Sequence, residues 1–559
     1  MFMKQNVLTI TAADKTPLVE ILLKKLEQRD ELINSLYEEI RELKDQVRTL
    51  KDEIAVLKKA TKRPKIRANK KQKSSKNHLE SSESATKRAG SEKKSKQLDI
   101  HEIKVIIPEN LPAGAKLKRS RSYDVQDLRI IVHNVRYVLE EWETPDGEVY
   151  SAQMPKNISQ GHFGNELCSF ILDQHHQCQV TQPLLHEQLI EFGIDISSGQ
   201  LNNILTEDNG LFHQEKDEIL QSGLKVSSYI QVDDTGARHN GKNGYCTQIG
   251  NEFFAWFQST DSKSRINFLQ ILNAVYPNVG YLLDENAFKY MTKEKLPSIP
   301  LSILKISIKK SFLSKEDWYK WLQQLGIINK THIKIATEGA LFAGALSGGL
   351  NKDLVILSDD AGQFNIPFIT HALCWIHEER HLKNLIPKTE PYRLAQQQAL
   401  DDFWNLYKTL KAYKINPTTE LKNTIQIYFD ELFKRKTGYI LLDLVLKRIF
   451  LKKKELLVVL ERIDIPLHNN GSETDIREYV KRRKVSGGTR SFSGQQSRDT
   501  FASLKKTCRK LGLSFYTYLK DRLSGAYKIA KLGSLIEQAA ANKAALALKT
   551  QALQGAVAA

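Results

Sequence analysis

Two short apolar runs, each closed by a pair of aspartates, constrain this chain more than any other feature. They are Tyr229-Ile-Gln-Val-Asp-Asp234 and Leu354-Val-Ile-Leu-Ser-Asp-Asp360. Runs of this length and β-branched content predict buried strands, so the fold must hold a sheet that brings carboxylates to its strand ends. A third acid, Glu473, follows Asn469-Asn-Gly-Ser472. That group reads as a helix entry, because short polar side chains there accept from the free backbone N–H groups. Arg477 lies four residues on along the same helix face. An aspartate at a strand end most often caps a turn, and a glutamate in a first helical turn often only complements the helix dipole. The combination is what points to chemistry. Strand-end Asp, strand-end Asp and helix Glu make a hard-oxygen donor set suited to two Mg²⁺ or Mn²⁺ ions acting on a phosphodiester. Successive strand side chains point to opposite faces, so one member of each aspartate pair faces the site and the other does not.

The remaining pattern orders the chain into segments. Leu26, Ile33, Ile40, Val47 and Ile54 recur every seventh residue, with Leu36, Leu43, Leu50 and Leu57 as the second core position. β-branched residues at a with Leu at d predict a parallel two-stranded coiled coil over 16–60, and hence a homodimer. From 61 to 99 the composition turns to Lys, Arg and Ser, with thirteen basic residues against three acids between Thr61 and Gln97, which predicts a disordered basic linker. Residues 100–160 read as a small β-rich module, with a strand at Ile103–Ile107 and a hairpin turn at Pro145-Asp146-Gly147. A helical segment over 161–215 contains two short helices, Gln182–Glu191 and Ser197–Leu205, about a Gly193 turn, a helix-turn-helix pattern suited to DNA. Residues 225–389 alternate strands and helices, with the first strand expected to end at Asp233 and a hairpin at Asn240-Gly241. Residues 390–465 are helical throughout and too long for a loop, so they read as an insertion before the Glu473 helix. The core resumes over 466–525, and an Ala-rich tail closes the chain at 526–559.

Charge narrows the partner. A formal net charge of +18 points to a polyanion. No apolar run approaches the roughly 18–20 residues of a spanning helix, which argues against a membrane. Between Arg477 and Arg522 thirteen basic residues again face three acids, and their proximity to Glu473 singles out Arg477, Arg483 and Lys484 as phosphate contacts. Five scattered cysteines contain no CxxC pair, which excludes a Cys-rich zinc module and suits a reducing, cytoplasmic setting.

The motifs as a set resemble those of DDE transposases of bacterial insertion sequences, closest to the insertion-sequence-66 family. The resemblance rests on Gln231-Val-Asp-Asp-Thr-Gly-Ala-Arg238, Leu357-Ser-Asp-Asp-Ala361, Cys374-Trp-Ile-His377 with Arg380, Asn469-Asn-Gly-Ser-Glu473 with Arg477, Arg483-Lys484, and Leu511-Gly-Leu-Ser-Phe-Tyr-Thr-Tyr518. It implies an α/β ribonuclease-H-like catalytic core with a helical insertion, preceded by a coiled coil and a small DNA-binding region. It further implies Asp233, Asp359 and Glu473 as catalytic and metal-binding residues, favouring Asp233 over Asp234 and Asp359 over Asp360. Cys374 and His377 would be structural residues beside the site. The expected activity is binding of element ends, metal-dependent cleavage, and joining of the 3′-OH to target DNA, in a nucleoid-associated protein of the bacterial cytoplasm. An inactive end-binding relative and a structure-selective nuclease are the alternatives. Many relatives carry a Cys-pair zinc module before the core, and this chain has none. Removal of residues 1–60 is expected to halve the particle mass measured by light scattering, whereas an unchanged mass would refute the zipper.

Overall fold

The computed structural model describes residues 99–155, 162–207, 209–276 and 278–558, together with Pro17 and Gln28. The expected coiled coil, those two residues apart, and the basic linker up to residue 98 lie outside the described residues. The chain divides into two units, Met1–Ser122 and Tyr123–Ala559. In the first, residues 99–122 form neither helix nor strand. The strand expected at Ile103–Ile107 is therefore absent, and Ile103, Val105, Ile106 and Ile107 are all exposed. A β-branched run without a second strand beside it has nowhere to place its backbone hydrogen bonds, so sequence preference alone does not make it a strand.

The second unit opens with an exposed hairpin of β1 (Glu141–Glu143) and β2 (Val149–Ser151), turned at Pro145-Asp146-Gly147 as the sequence predicts. Four helices follow: α1 (Asn165–His176), α2 (Gln182–Glu191), α3 (Ser198–Thr206) and α4 (Gly210–Val226). Gly193 takes a φ of +82° in the turn between α2 and α3, a conformation glycine adopts without strain. Ser197 then starts α3 through a reciprocal capping box with Gln200.

The main sheet is built from five strands: β3 (Tyr229–His239), β4 (Lys242–Gly250), β5 (Ala255–Thr260), β8 (Val355–Ser358) and β9 (Thr370–Leu373). Their order across the sheet is β5-β4-β3-β8-β9. The first three form an antiparallel meander, and β8 and β9 continue it in parallel. Asn240 and Gly241, both at positive φ, make the tight turn from β3 to β4. Between β5 and β8 lie α5 (Arg265–Ala274), a two-stranded ribbon of β6 (Tyr281–Leu282) with β7 (Ser311–Phe312), α6 (Glu285–Lys293), α7 (Ser298–Lys305), α8 (Lys315–Gln324) and the largely apolar α9 (Lys330–Gly348). One core joins these helices to the sheet through Ile230, Val232, Leu269, Leu272 and Phe342.

After β9 comes α10 (Trp375–Lys383), then the insertion: α11 (Glu390–Ile415), α12 (Thr419–Lys434), α13 (Ile440–Leu451) and α14 (Lys453–Leu456). The insertion has its own core of Phe403, Leu406, Ile425, Phe429 and Leu446, which grips the sheet side through Leu373 and Trp375. The chain then forms α15 (Asn470–Ser486), α16 (Phe492–Lys510), α17 (Phe515–Leu523) and α18 (Leu532–Ala558).

Helix α15 is tied to β3 at both ends. At its start Asn469 Nδ2 donates to the Val232 carbonyl at 2.8 Å, and Gln231 Nε2 donates to the His468 carbonyl at 3.1 Å. At its finish Thr489 N donates to the Arg238 carbonyl at 2.9 Å, and Asn240 N donates to the Thr489 carbonyl at 2.9 Å. The lengths agree: a helix over 470–486 spans roughly 25 Å and a strand over 231–239 roughly 27 Å. The close approach depends on glycine. A Cβ on Gly488 would lie 2.4 Å from the Arg238 carbonyl oxygen, a backbone atom with little freedom to move. Gly488→Ala is accordingly expected to lower unfolding free energy by about 1–3 kcal/mol in urea titration, and an unchanged midpoint would show that this junction bears no strain.

Candidate active site

Strand parity decides which aspartate of the first pair looks toward α15. Tyr229 and Val355, Leu357 share a small cluster with Ala372 and Ile465 on one sheet face, while Ile230 and Val232 belong to the large core on the other. Asp233 has the parity of Tyr229 and Gln231, the latter being the residue that meets the start of α15. Asp234, pointing the other way, is fully engaged. Its Oδ1 accepts from Thr247 Oγ1 at 2.6 Å and its Oδ2 from Gln363 Nε2 at 2.9 Å.

Register places the second pair. β3 pairs with β8 only over Tyr229–Gln231, with Gln231 opposite Leu357. Two residues beyond that pair stand Asp233, still within β3, and Asp359, just past the end of β8 at Ser358. The expectation that the strand ends at Asp233 needs correction: β3 runs on to His239 because β4 pairs with it along its whole second half. The partnership with β8 already ends at Gln231, so Asp233 lies just beyond it, half-buried, on a strand that continues with β4 alone. Asp360 is drawn off toward the insertion, where Arg448 Nη2 donates to it at 2.9 Å and Lys452 also pairs with it. Asp359 keeps its Oδ1 on the Ala361 N–H at 3.2 Å.

Glu473 sits in the first turn of α15. The polar group before it does not cap the helix with its side chains, as the sequence suggested; those side chains dock on the sheet instead. Asn469 reaches Val232, Ser472 Oγ donates to Gln248 Oε1, and Gly471 lies so near Gln231 that a Cβ there would collide with its Oε1. Cys374 is buried at the β9–α10 junction, where its Sγ accepts the Asn469 N–H at 3.2 Å.

Electrostatics link the three acids. Burial raises the Asp233 carboxyl to about 7, helped by the charges of Asp359, Asp234 and Glu473 and opposed by the hydrogen bond from the Asp234 N–H. Glu473 is itself partnered: Arg380 Nη2 lies 3.2 and 3.3 Å from its two oxygens, and His377 Nε2 lies 3.7 Å away. Arg380 Nη1 donates to the same His377 nitrogen at 3.0 Å, and burial together with this guanidinium lowers the imidazole's pKa. His377 thus stands beside Glu473. Arg380 was legible as part of the Cys374-x-x-His377-x-x-Arg380 spacing, which puts His377 and Arg380 on one helix face, yet nothing in the sequence aims that face at Glu473.

Among the described residues no three His, Cys, Asp or Glu side chains stand in metal-holding geometry. The donor chemistry nonetheless suits a divalent cation: the charges of Asp359, Asp234 and Glu473 all bear on the Asp233 carboxyl, and Asn469 Oδ1 and His377 Nδ1 are buried without a hydrogen-bond partner.

The cationic residues divide. Arg477 and Lys484 are exposed on α15, whereas the Arg483 guanidinium is turned inward onto the Gly236 carbonyl. Arg482, not singled out by the sequence, lies half-buried against α1, its Nη1 donating to the His175 carbonyl at 2.8 Å.

The model of the family described as "Transposase IS66 family" matches residues 344–497. That span contains Asp359, Cys374, His377, Arg380, Glu473, Arg477, Arg483 and Lys484, with Asp233 preceding it. The chain belongs to the IS66 transposase family. It is also 41% identical over 322 residues to the uncharacterized protein y4jO of Sinorhizobium fredii (strain NBRC 101917 / NGR234), an alignment covering 57% of this chain and 99% of that relative. No helix among the described residues is long and apolar enough to cross a membrane.

The raised Asp233 carboxyl gives a pH signature. Ionising it costs more in the folded than in the unfolded chain, so stability falls as pH rises above the ordinary carboxylate range and levels off above about 7. Without divalent ions, Asp233→Asn should melt at the wild-type temperature near pH 3 and progressively above it up to pH 7, with a constant gap beyond. A gap independent of pH would remove the charge crowding from this account.

Proposed function

We propose that this chain is a DNA transposase whose sheet is a ribonuclease-H-like core and whose catalytic acids are Asp233, Asp359 and Glu473. The observation that carries the reading is convergence. Strand register carries Asp233 and Asp359 past the end of the β3–β8 pairing, docking of α15 brings Glu473 to the same end of β3, and the charges of Asp359 and Glu473 both act on the Asp233 carboxyl, which supports a shared site. A three-stranded meander continued by two parallel strands supports the core assignment, as does the helical insertion before α15. Membership of a transposase family supports the reaction class.

The reaction is two in-line displacements at phosphorus. Water adds to the phosphodiester at the element end, the P–O3′ bond breaks, and the water proton passes to the departing oxygen, which leaves as a 3′-OH. That hydroxyl then forms a new P–O bond with a target strand as the target P–O3′ bond breaks, and its proton passes to the departing target oxygen, which leaves as a 3′-OH. Asp233, Asp359 and Glu473 would hold Mg²⁺ or Mn²⁺, which when bound supplies activation of the attacking oxygen and neutralisation of the leaving one. Asp234 and Asp360, with their own partners, fix the strand and loop that carry the reacting carboxylates. Arg380 neutralises Glu473 before substrate arrives and lies close enough to offer its guanidinium to a phosphate. Exposed Arg477 and Lys484 extend the cationic surface from the site along α15. The coiled coil would pair two protomers, so that both element ends are held together.

Purified protein with labelled element-end DNA and Mg²⁺ tests the proposal. Glu473→Gln should bind DNA as the wild type does and lose cleavage by at least about a thousandfold, the scale on which losing one member of a catalytic set registers. Retained cleavage would remove Glu473 from the site. In the wild type, cleavage without joining would favour the nuclease, and binding with neither step the inactive relative.

A further inference from the structure

Beyond the carboxylates lies a cavity of about 790 Å³, walled on one side by α2 and α3 and on the other by α15 and α16. Its size is within the range of roughly 300–1,000 Å³ seen in sites for small molecules. The two walls differ in chemistry. From Thr181 to Glu207 there is no Lys or Arg, and the helical pair offers amides, hydroxyls, His186 and one carboxylate, Glu187. The opposite wall carries Arg482 and Arg498, with exposed Arg490 at its edge.

These arginines are not neutralised from within. Glu478 pairs with Lys505 at 3.3 Å, Lys506 at 3.0 Å and Arg509 at 2.6 Å, and Asp475 with Lys510 at 2.8 Å and Lys506 at 3.6 Å. Both acids of that wall are thus taken by other cations. Among the described residues neither Arg482 nor Arg498 has a carboxylate within ion-pair distance. Arg498 Nη2 reaches only the Ser486 hydroxyl at 3.2 Å and the Gly488 carbonyl at 3.4 Å. Burial and the Arg498 charge lower Arg482 to about 10, and burial with the Arg482 charge lowers His175 to about 3, so positive charge here repels positive charge. His176 Nε2, also on the cavity, is buried and has no hydrogen-bond partner. Arg482 also reaches the Val180 carbonyl at 3.4 Å and, through Nη2, the His175 ring, so it braces α1 while Arg498 braces the end of α15; neither role supplies a negative charge to balance the two guanidinia.

We infer that this cavity is a phosphate-binding site that receives one nucleotide unit of a DNA strand, with Arg482 and Arg498 as the phosphate ligands. The inference rests on the DNA-transposase reading for its source of nucleotides. It also gives the helix pair a means of holding DNA that its own sequence lacks: α2 and α3 present hydrogen-bonding groups, and the cations come from across the cavity. Two guanidinia around one phosphate would lose their mutual repulsion on binding and gain charge-assisted hydrogen bonds.

The test uses full-length protein in EDTA, so that binding is measured apart from cleavage. Fluorescence anisotropy follows a labelled single-stranded oligonucleotide over a salt series, and calorimetry follows 2′-deoxyadenosine 5′-monophosphate. Arg498→Gln and Arg482→Gln, each checked for an unchanged melting temperature, should weaken strand binding about tenfold or more. Each should also flatten the logarithmic salt slope by about 0.7, the value for one phosphate no longer neutralised. Should Arg482→Gln fail to fold, Arg498→Gln decides alone. If the mononucleotide binds and both variants abolish it, the site takes free nucleotides as well and the phosphate assignment stands. Folded variants with wild-type affinity and salt slope for both probes would overturn it. Because Glu473→Gln is read by cleavage, failure of this site would leave the catalytic proposal intact, and the reverse also holds.

Discussion

The docking of α15 along β3 is the constraint on which the rest of the structure depends. A helix bearing Glu473 in its first turn is laid on the strand bearing Asp233 and is pinned beyond both of its ends, by Asn469 at the start and Thr489 at the finish. An approach this close requires small residues at both junctions, which Gly471 and Gly488 supply. Sliding the helix by one turn would move Glu473 by about 5.4 Å. It would also leave Asn469, Gln231 and Ser472 with unpaired polar groups in a buried interface, a cost that holds the register.

Each acidic position is specified as much by what its neighbour does as by its own surroundings. Asp234 is tied to Thr247 and Gln363, and Asp360 to Arg448 and Lys452, so each pair divides into a structural carboxylate and one left for the candidate site. The insertion takes part in that division. Arg448 and Lys452 belong to its end, and its aromatic core leans on Trp375 at the base of α10. It thereby orders the loop after β8 and the helix that carries His377 and Arg380. The distance in sequence between the second Asp and the Glu is spanned by a domain that braces both.

Much of this was legible beforehand because it is local. The Asn240-Gly241 hairpin, the helices about Gly193 and the Pro145-Asp146-Gly147 turn are set by turn residues and period, and all are found. Errors came where partners decide. Ile103–Ile107 has strand composition but no strand beside it among the described residues, and β3 outruns Asp233 because β4 is there to pair with it. Asn469 has the composition of a helix cap yet spends its side chain on Val232, a residue 237 positions away. Nor could charge counting separate Arg483, turned onto the Gly236 carbonyl, from exposed Lys484 next to it, since only the packing of α15 on β3 tells them apart.

If the three acids form one site, they must share a cation that none of them holds alone. Titration of the metal-free protein with Mn²⁺, followed by the loss of the free-ion electron paramagnetic resonance signal, measures this directly. Wild-type protein should take up Mn²⁺, and Asp233→Asn, Asp359→Asn and Glu473→Gln should each greatly weaken that uptake while remaining folded. Undiminished Mn²⁺ binding in any one of the three would contradict a common centre.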